Sequence, residues 1–362
     1  ALLCLVFVLP TDLKRLKGQA AAVALVMGCG LAMMITTRSL ITSLDGTRAD
    51  YYEGHRFADV FGSLKRAPNH LGERLAALPG IAGVQTDIAA QVTLDLPGLD
   101  EPASGLVRSL PDFGEPELNR LFLRRGRWLA PGSRRELLVG EAFAEANRLN
   151  PGDNLVLLMN GRRQDFRIAG IVLSPEYIFE SRPGAALPDS RSYGIFWMTY
   201  KEVATAWDLY GAFNHYSLKL APGADPAPVI AAADTLFKPY GGFGAYGRRD
   251  HPSHIRVSDE IRTLTILSIG FPTIFLGVAA FMTNAVLSRL LALQREQIAI
   301  LKAFGFTNGQ IVVHYLKFAG VIGLAGTVLG GIGGLILGRW MLGLYAPLYR
   351  FPELAFRVDP HA

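Results

Sequence analysis

Three apolar stretches constrain what this chain can fold into more than any other feature. Residues 19–37 carry no charge from end to end. Residues 263–288 lie between Arg262 and Arg289, and residues 311–338 admit only His314 and Lys317, in their first turns. At about 1.5 Å per helical residue, each reaches the roughly 30 Å of a bilayer's hydrocarbon core. The chain reads as a membrane protein, in keeping with a mean hydropathy of +0.25. Between the first two stretches lies a mixed, polar region, long enough for one large domain or two small ones.

Orientation follows from Lys and Arg near the span ends. Lys14, Arg15 and Lys17 precede the first span, and Arg289, Arg295 and Lys302 lie between the second and third. Both groups are expected in the cytoplasm, which puts the central region outside; Arg38 and Arg48 are tolerated in a long translocated domain. The expected division is 1–18 as a cytoplasmic flank, 19–37 as the first span and 38–260 as the extracytoplasmic domain. Residues 261–288 are then the second span, 289–310 a cytoplasmic loop, 311–340 the third span and 341–362 an extracytoplasmic tail. The net charge of +5 is read as basic cytoplasmic flanks, not as a nucleic-acid surface. The two cysteines, Cys4 and Cys29, fall in N-terminal apolar stretches, so the central region has no disulfide framework or cysteine metal site. Residues 1–10 are apolar but too short to span, and their role stays open.

The spans carry small residues at every fourth position. Ala20, Ala24, Gly28 and Ala32 line one face of the first, and Gly326, Gly330, Gly334 and Gly338 one face of the third. Such stripes let helix backbones approach closely within lipid, so these residues are expected to pack against other helices. Pro272 is expected to kink the second span. Asn284 either bonds across helices or meets water.

The loop after the second span has the most specific pattern. Leu293, Gln297, Ile300, Leu301 and Phe304 share one face at helical spacing, with Arg295, Glu296 and Lys302 elsewhere. Gly305 is a natural helix stop, and Thr307 with Gln310 forms a capping box for the next helix. A short amphipathic helix is expected here, fit either for a partner's groove or for the lipid surface.

This loop, from Arg295 to Gly305, with its flanking spans, resembles the FtsX-like permease domain of ABC transporters. The resemblance implies that Glu296, Ile300, Leu301, Lys302, Phe304 and Gly305 form a coupling helix that docks on a partner ATPase. Such domains have four spans, so a fourth is expected beyond residue 362, and the chain is similar to the N-terminal half of a longer, duplicated permease. In the central region, strand 136–140, helix 141–148, the turn at Asn150-Pro151-Gly152-Asp153, strand 154–159, the Asn160-Gly161 turn and strand 164–172 resemble a MacB-type periplasmic core domain. Upstream, strand 57–63, helix 68–78 and an extended run over 84–96 are expected.

The expected fold is therefore an α-helical membrane protein with an inserted α+β extracytoplasmic domain of MacB type. The resemblance implies an ABC permease subunit in the bacterial cytoplasmic (inner) membrane, not an enzyme, for export or for lipid and lipoprotein handling by mechanotransmission. It implies as partners an ABC ATPase subunit, a second permease copy or second half, and membrane lipid. A periplasmic adaptor or lipoprotein stays open as a further partner. A signal transducer controlling a cell-wall hydrolase, and a sensor or receptor without an ATPase, are the rival readings.

Catalytic signals are weak, and no cofactor or metal is expected. Gly242-Phe-Gly244-Ala-Tyr-Gly247 matches G-x-G-x-x-G but lacks the strand before and the helix after that a nucleotide site needs. It reads as a flexible turn. His251 and His254 read as a solvated loop, since Pro252 falls between them. Arg124, Arg125 and Arg127 beside Trp128 read as a solvated turn. No phosphate-binding G-x-x-x-x-G-K-[ST] string is present, so ATP hydrolysis would come from a partner.

Overall fold

The computed structural model describes residues 17–96, 102–182, 184–185 and 188–359. Residues 1–10, Cys4, Lys14, Arg15 and the C-terminal Pro360, His361 and Ala362 lie outside them. The chain begins with α1 (Lys17–Gly54), then β1 (Val60–Pro68), α2 (His70–Ala76), β2 (Ile81–Asp87), β3 (Ala89–Leu94), β4 (Ala103–Leu110) and β5 (Phe122–Gly126). It continues with β6 (Glu136–Gly140), α3 (Glu141–Ala146), β7 (Asn154–Met159), β8 (Arg162–Leu173), β9 (Tyr193–Thr199) and α4 (Tyr200–Trp207). The last elements are β10 (Ala212–Leu220), α5 (Pro226–Phe237), β11 (Gly242–Gly247), α6 (Pro252–Leu293), α7 (Arg295–Ala303) and α8 (Asn308–Tyr345).

Two compact units result, and α1 and α6 each contribute residues to both. The α+β unit takes Gly46–Asp259 and Tyr345–Leu354. Its four-stranded sheet has the order β11-β1-β10-β2, with antiparallel neighbours. Helix α2 joins β1 to β2 and α5 joins β10 to β11, a split βαβ arrangement. Leu71, Phe213, Tyr216, Val229 and Phe237 pack in the core of this layer. Asp225 starts α5 by accepting the Ala227 N–H at 3.1 Å, and Pro226 follows at the first helical position.

The second sheet has seven strands in the order β5-β8-β6-β9-β4-β3-β7, and a further pairing of β7 with β8 closes it into a ring. Every residue of β9 is buried. Its run Gly-Ile-Phe-Trp-Met lacks alternation because both faces are covered. At the β7–β8 hairpin, Asn160 and Gly161 have φ of 47° and 76°, the paired left-handed geometry that Asn-Gly favours.

Local signals placed α2, β6, α3, β7 and β8 to within two residues, whereas β4, β5, β9, α4, β10 and α5 carried no expectation as elements and tertiary pairing moved others. The extended run expected over 84–96 splits: β2 belongs to one sheet and β3 to the other. Ile88 sits at the break and donates its N–H to Ser109 Oγ at 2.8 Å. The stretch read as a flexible turn, Gly242 to Gly247, is instead strand β11, because its backbone pairs antiparallel with β1. Pro252 does not break a helix but opens α6, at the position where its missing N–H is harmless. His254 thus lies in a helix, and His251 is buried against Phe57, Phe61 and Tyr246.

The helical unit takes the described residues up to Asp45, Glu260–Leu344 and those from Ala355 on. Among the described residues, three helices, α1, α6 and α8, are long and apolar enough to cross a membrane. Ala20, Val23 and Ala24 of α1 pack with Val286 and Leu290 of α6 and with Phe318 and Ile322 of α8. Pro272 lies inside α6, which is assigned as one helix from Pro252 to Leu293. Asn284 is exposed.

Candidate functional site

The loop between α6 and α8 is built from local signals. Helix α6 extends to Leu293, so that residue belongs to α6, and α7 begins after a break at Gln294. Gln294 is buried, and its Oε1 accepts the Tyr315 hydroxyl at 2.6 Å. That bond ties the loop's entry to α8.

The exit of α7 is a closed cap. Gly305 has φ 86°, the left-handed region a side chain disfavours. Its N–H donates to Lys302 O at 3.0 Å, and the Phe306 N–H donates to Leu301 O at 3.2 Å, the paired bonds of a Schellman ending. Two residues on, Thr307 N donates to Gln310 Oε1 at 3.0 Å and Gln310 N donates to Thr307 Oγ1 at 3.4 Å. This reciprocal pair is the capping box the sequence pattern describes.

No residue of α7 is buried. Ile300 is 55% and Phe304 79% exposed. Glu296, Gln297 and Lys302 are also exposed, and Leu301 is half-buried. A capped helix with a bare apolar strip is suited to insertion in a complementary groove.

The two small-residue stripes meet in the helical unit. A Cβ on Gly326 would stand 3.0 Å from Ala24 O, and one on Gly334 would stand 2.9 Å from Ala32 O. Gly28 faces Gly326 and Gly330 in the same way. Thr36 Oγ1 adds a hydrogen bond to Gly334 O at 3.1 Å. Gly338 differs: its nearest neighbour is the Phe356 ring. Ala20 joins the cluster with Val286, Leu290 and Phe318.

The α+β unit contains two charge clusters that motif reading missed, the first buried and the second partly exposed. Arg108 on β4 donates Nε to Asp87 Oδ2 at 2.5 Å, Nη1 to Glu176 Oε1 at 3.1 Å and Nη1 to the Tyr177 hydroxyl at 2.8 Å. His215 Nδ1 lies 2.9 Å from Asp87 Oδ1. Burial pushes the Asp87 carboxyl up, but the Arg108 guanidinium and the His215 ring outweigh it and hold it at about 2. The cluster joins β2 and β10 of one sheet to β4 of the other. The available signal was an arginine inside the apolar strand Ala103–Leu110.

The second cluster holds the segment that follows α8. Arg350 Nη1 donates to Glu145 Oε2 at 2.5 Å and lies 3.6 Å from Glu141 Oε2. Arg124 Nε donates to Glu141 Oε1 at 2.7 Å, and its Nη1 and Nη2 donate to the Pro352 and Phe351 carbonyls at 2.8 and 3.0 Å. The arginines read as a solvated turn therefore begin in strand β5, with Arg124 ion-paired; Trp128 packs beside Leu138 and Trp197. Beside this cluster Glu180 is buried, with no partner for Oε2 among the described residues. Burial raises its carboxyl to about 8, Arg350 opposing and Glu141 reinforcing the shift.

These features define a protein with helices fit to span a membrane, an α+β domain inserted after the first, and a capped helix between the other two. Residues 269–355, which include that loop, match the family model of the FtsX-like permease C-terminal region, so the resemblance to FtsX-like permeases holds there. Solved structures similar to the chain include the extracellular domain of the noncanonic ABC-type transporter YknZ from Gram-positive bacteria. It is 11% identical, with 52% of this chain and 98% of that one covered at a TM-score of 0.34. The periplasmic region of MacB from Actinobacillus actinomycetemcomitans is 13% identical, covering 59% and 97% at 0.36. A domain of a putative permease protein from Porphyromonas gingivalis is 12% identical, covering 55% and 88% at 0.29. No curated protein matches the chain.

Proposed function

We propose that this chain is the membrane subunit of an ABC transporter, with α7 as the coupling helix that docks on a separate ATPase. In this reading the loop faces the cytoplasm of a bacterial cell, and the α+β domain stands on the far side of the cytoplasmic membrane. Closure of the ATPase moves α7. The tightly packed α1 and α8 pass that displacement on, and the α+β domain uses it for export or for lipid and lipoprotein handling. Transmission is favoured over conduction because the middle of each apolar stretch holds no charge.

The observation that carries the reading is Phe304, 79% exposed at the end of a helix with no buried residue. A large apolar side chain held out by a rigid cap is a partner's anchor. The test is Phe304→Asp, read by co-purification with the nucleotide-binding subunit and by that subunit's ATPase rate. Loss of both with an unaltered melting temperature is expected. Wild-type association and activity would sink the proposal.

A further inference from the structure

Strand β2 ends one side of the four-stranded sheet, and among the described residues it pairs only with β10. Its outer edge therefore presents alternate N–H and C=O groups that another extended chain can bond. Alongside that edge, between β2 and α2, runs a groove of about 440 Å³. Its lining is small where a backbone must approach: Gly72 and Ala76 come from α2, and Ala82 and Gly83 from β2. Its walls are acidic. Glu73 projects from α2, exposed and with no ion pair among the described residues. Glu117 stands over β2, with its Oε1 3.0 Å from the position of a Cβ on Gly83, and shares its carboxylate with exposed Arg56 at 3.4 Å.

We propose that this groove binds an extended, lysine- or arginine-bearing peptide segment of a partner protein, which adds to β2 as a further strand and sets basic side chains against Glu73 and Glu117. Backbone bonds along the edge supply affinity without regard to sequence. Side chains of the added strand alternate between its faces, so basic residues two apart point the same way, and the carboxylates select for them. The chain's own net charge of +5 disfavours loose adhesion of a basic peptide elsewhere, so binding here needs this local acidic pair. The inference depends neither on α7 nor on an ATPase, and it stands or falls separately from the coupling reading.

The test uses the full chain in nanodiscs of uncharged lipid and a fluorescein-labelled octapeptide of alternating valine and lysine, read by fluorescence anisotropy. Saturable binding is expected. The same peptide N-methylated at every residue should not bind, because it has no N–H left to form the ladder. The double variant Glu73→Gln with Glu117→Gln should bind about tenfold more weakly with an unchanged melting temperature. No saturable binding, equal binding of the N-methylated peptide, or undiminished binding to the double variant overturns the proposal. So does a dimer of the chain that pairs β2 with β2 and excludes the peptide.

Discussion

Gly330 presses its backbone directly on Gly28: a Cβ added at Gly330 would stand 2.8 Å from the Gly28 carbonyl oxygen and 2.7 Å from Leu31 Cβ. Backbone contact of this kind leaves the neighbour nowhere to retreat, because the obstructing atom is a peptide oxygen within a helix. Gly330→Leu should therefore force α8 off α1 and destabilise the helical unit by about 1–3 kcal/mol. Gly331→Leu is the control, since none of the described residues lies within 4 Å of a Cβ there. Thermal unfolding in detergent should show a lowered midpoint for the first and not for the second. Equal midpoints would remove the contact from the account.

The Asp87–Arg108 pair should dominate the acid response of the α+β unit. Asp87 has its carboxyl held at about 2 against an ordinary 3.8. The stability it lends is complete above pH 3.8 and is lost as the pH falls through about 2. Asp87→Asn leaves the Arg108 charge buried and underpaired, at a cost of about 3–5 kcal/mol. Asp95→Asn removes an ion pair to Arg163 whose side chains are 73% and 69% exposed, and it should cost less than about 1 kcal/mol. Denaturant titration of both variants checks the contrast, and similar losses would contradict it.

Glu180 should respond to pH in the opposite sense. The unfolded chain ionises this carboxyl above an ordinary 4.5, whereas burial keeps it protonated in the folded chain to about 8. Between those values the folded state holds the extra proton, so stability falls as pH rises, by at most about 1.4 kcal/mol per unit, and then levels off. Glu180→Gln keeps the shape and removes the titration. Melting temperatures from pH 5 to 9 should converge at the acid end, with the variant more stable at the alkaline end. Parallel profiles would rule the buried carboxyl out as the cause.

What could be read from sequence and what could not divide along physical lines. The stop at Gly305 and the box of Thr307 with Gln310 use bonds between residues at most five apart, and such signals survive any tertiary context. The stripes of Ala24, Gly28 and Ala32 and of Gly326, Gly330 and Gly334 were visible as spacing. That they face each other depends on contacts some 300 residues apart, which spacing cannot supply. Residues 84–96 looked like one strand because β propensity says nothing about which sheet a strand joins. Gly242 to Gly247 looked like a turn because its glycines signal flexibility, yet pairing along β1 fixes it in an extended form. His251 looked solvated because Pro252 was expected to disrupt a helix there, and Arg124 because charged residues are mostly exposed; ring contacts and an ion pair from distant elements bury or hold them instead.

The cap at Gly305 should matter for direction more than for survival. Its φ of 86° costs an L-residue about 1–2 kcal/mol, so Gly305→Val should unwind the Schellman ending and release the Phe306 N–H from Leu301 O. None of the described residues lies within 4 Å of a Cβ at that position, so the effect is conformational and not a clash. Because α7 has no buried residue, the global melting temperature should stay close to that of the unaltered chain. Hydrogen exchange should quicken at Phe304, Gly305 and Phe306 while α8 keeps its protection. If α7 is the coupling helix, the same variant should depress ATPase stimulation with the helical unit still folded. Unchanged exchange at Phe306 would show that the cap does not hold the helix end, and a collapse of α8 protection would show that it holds far more.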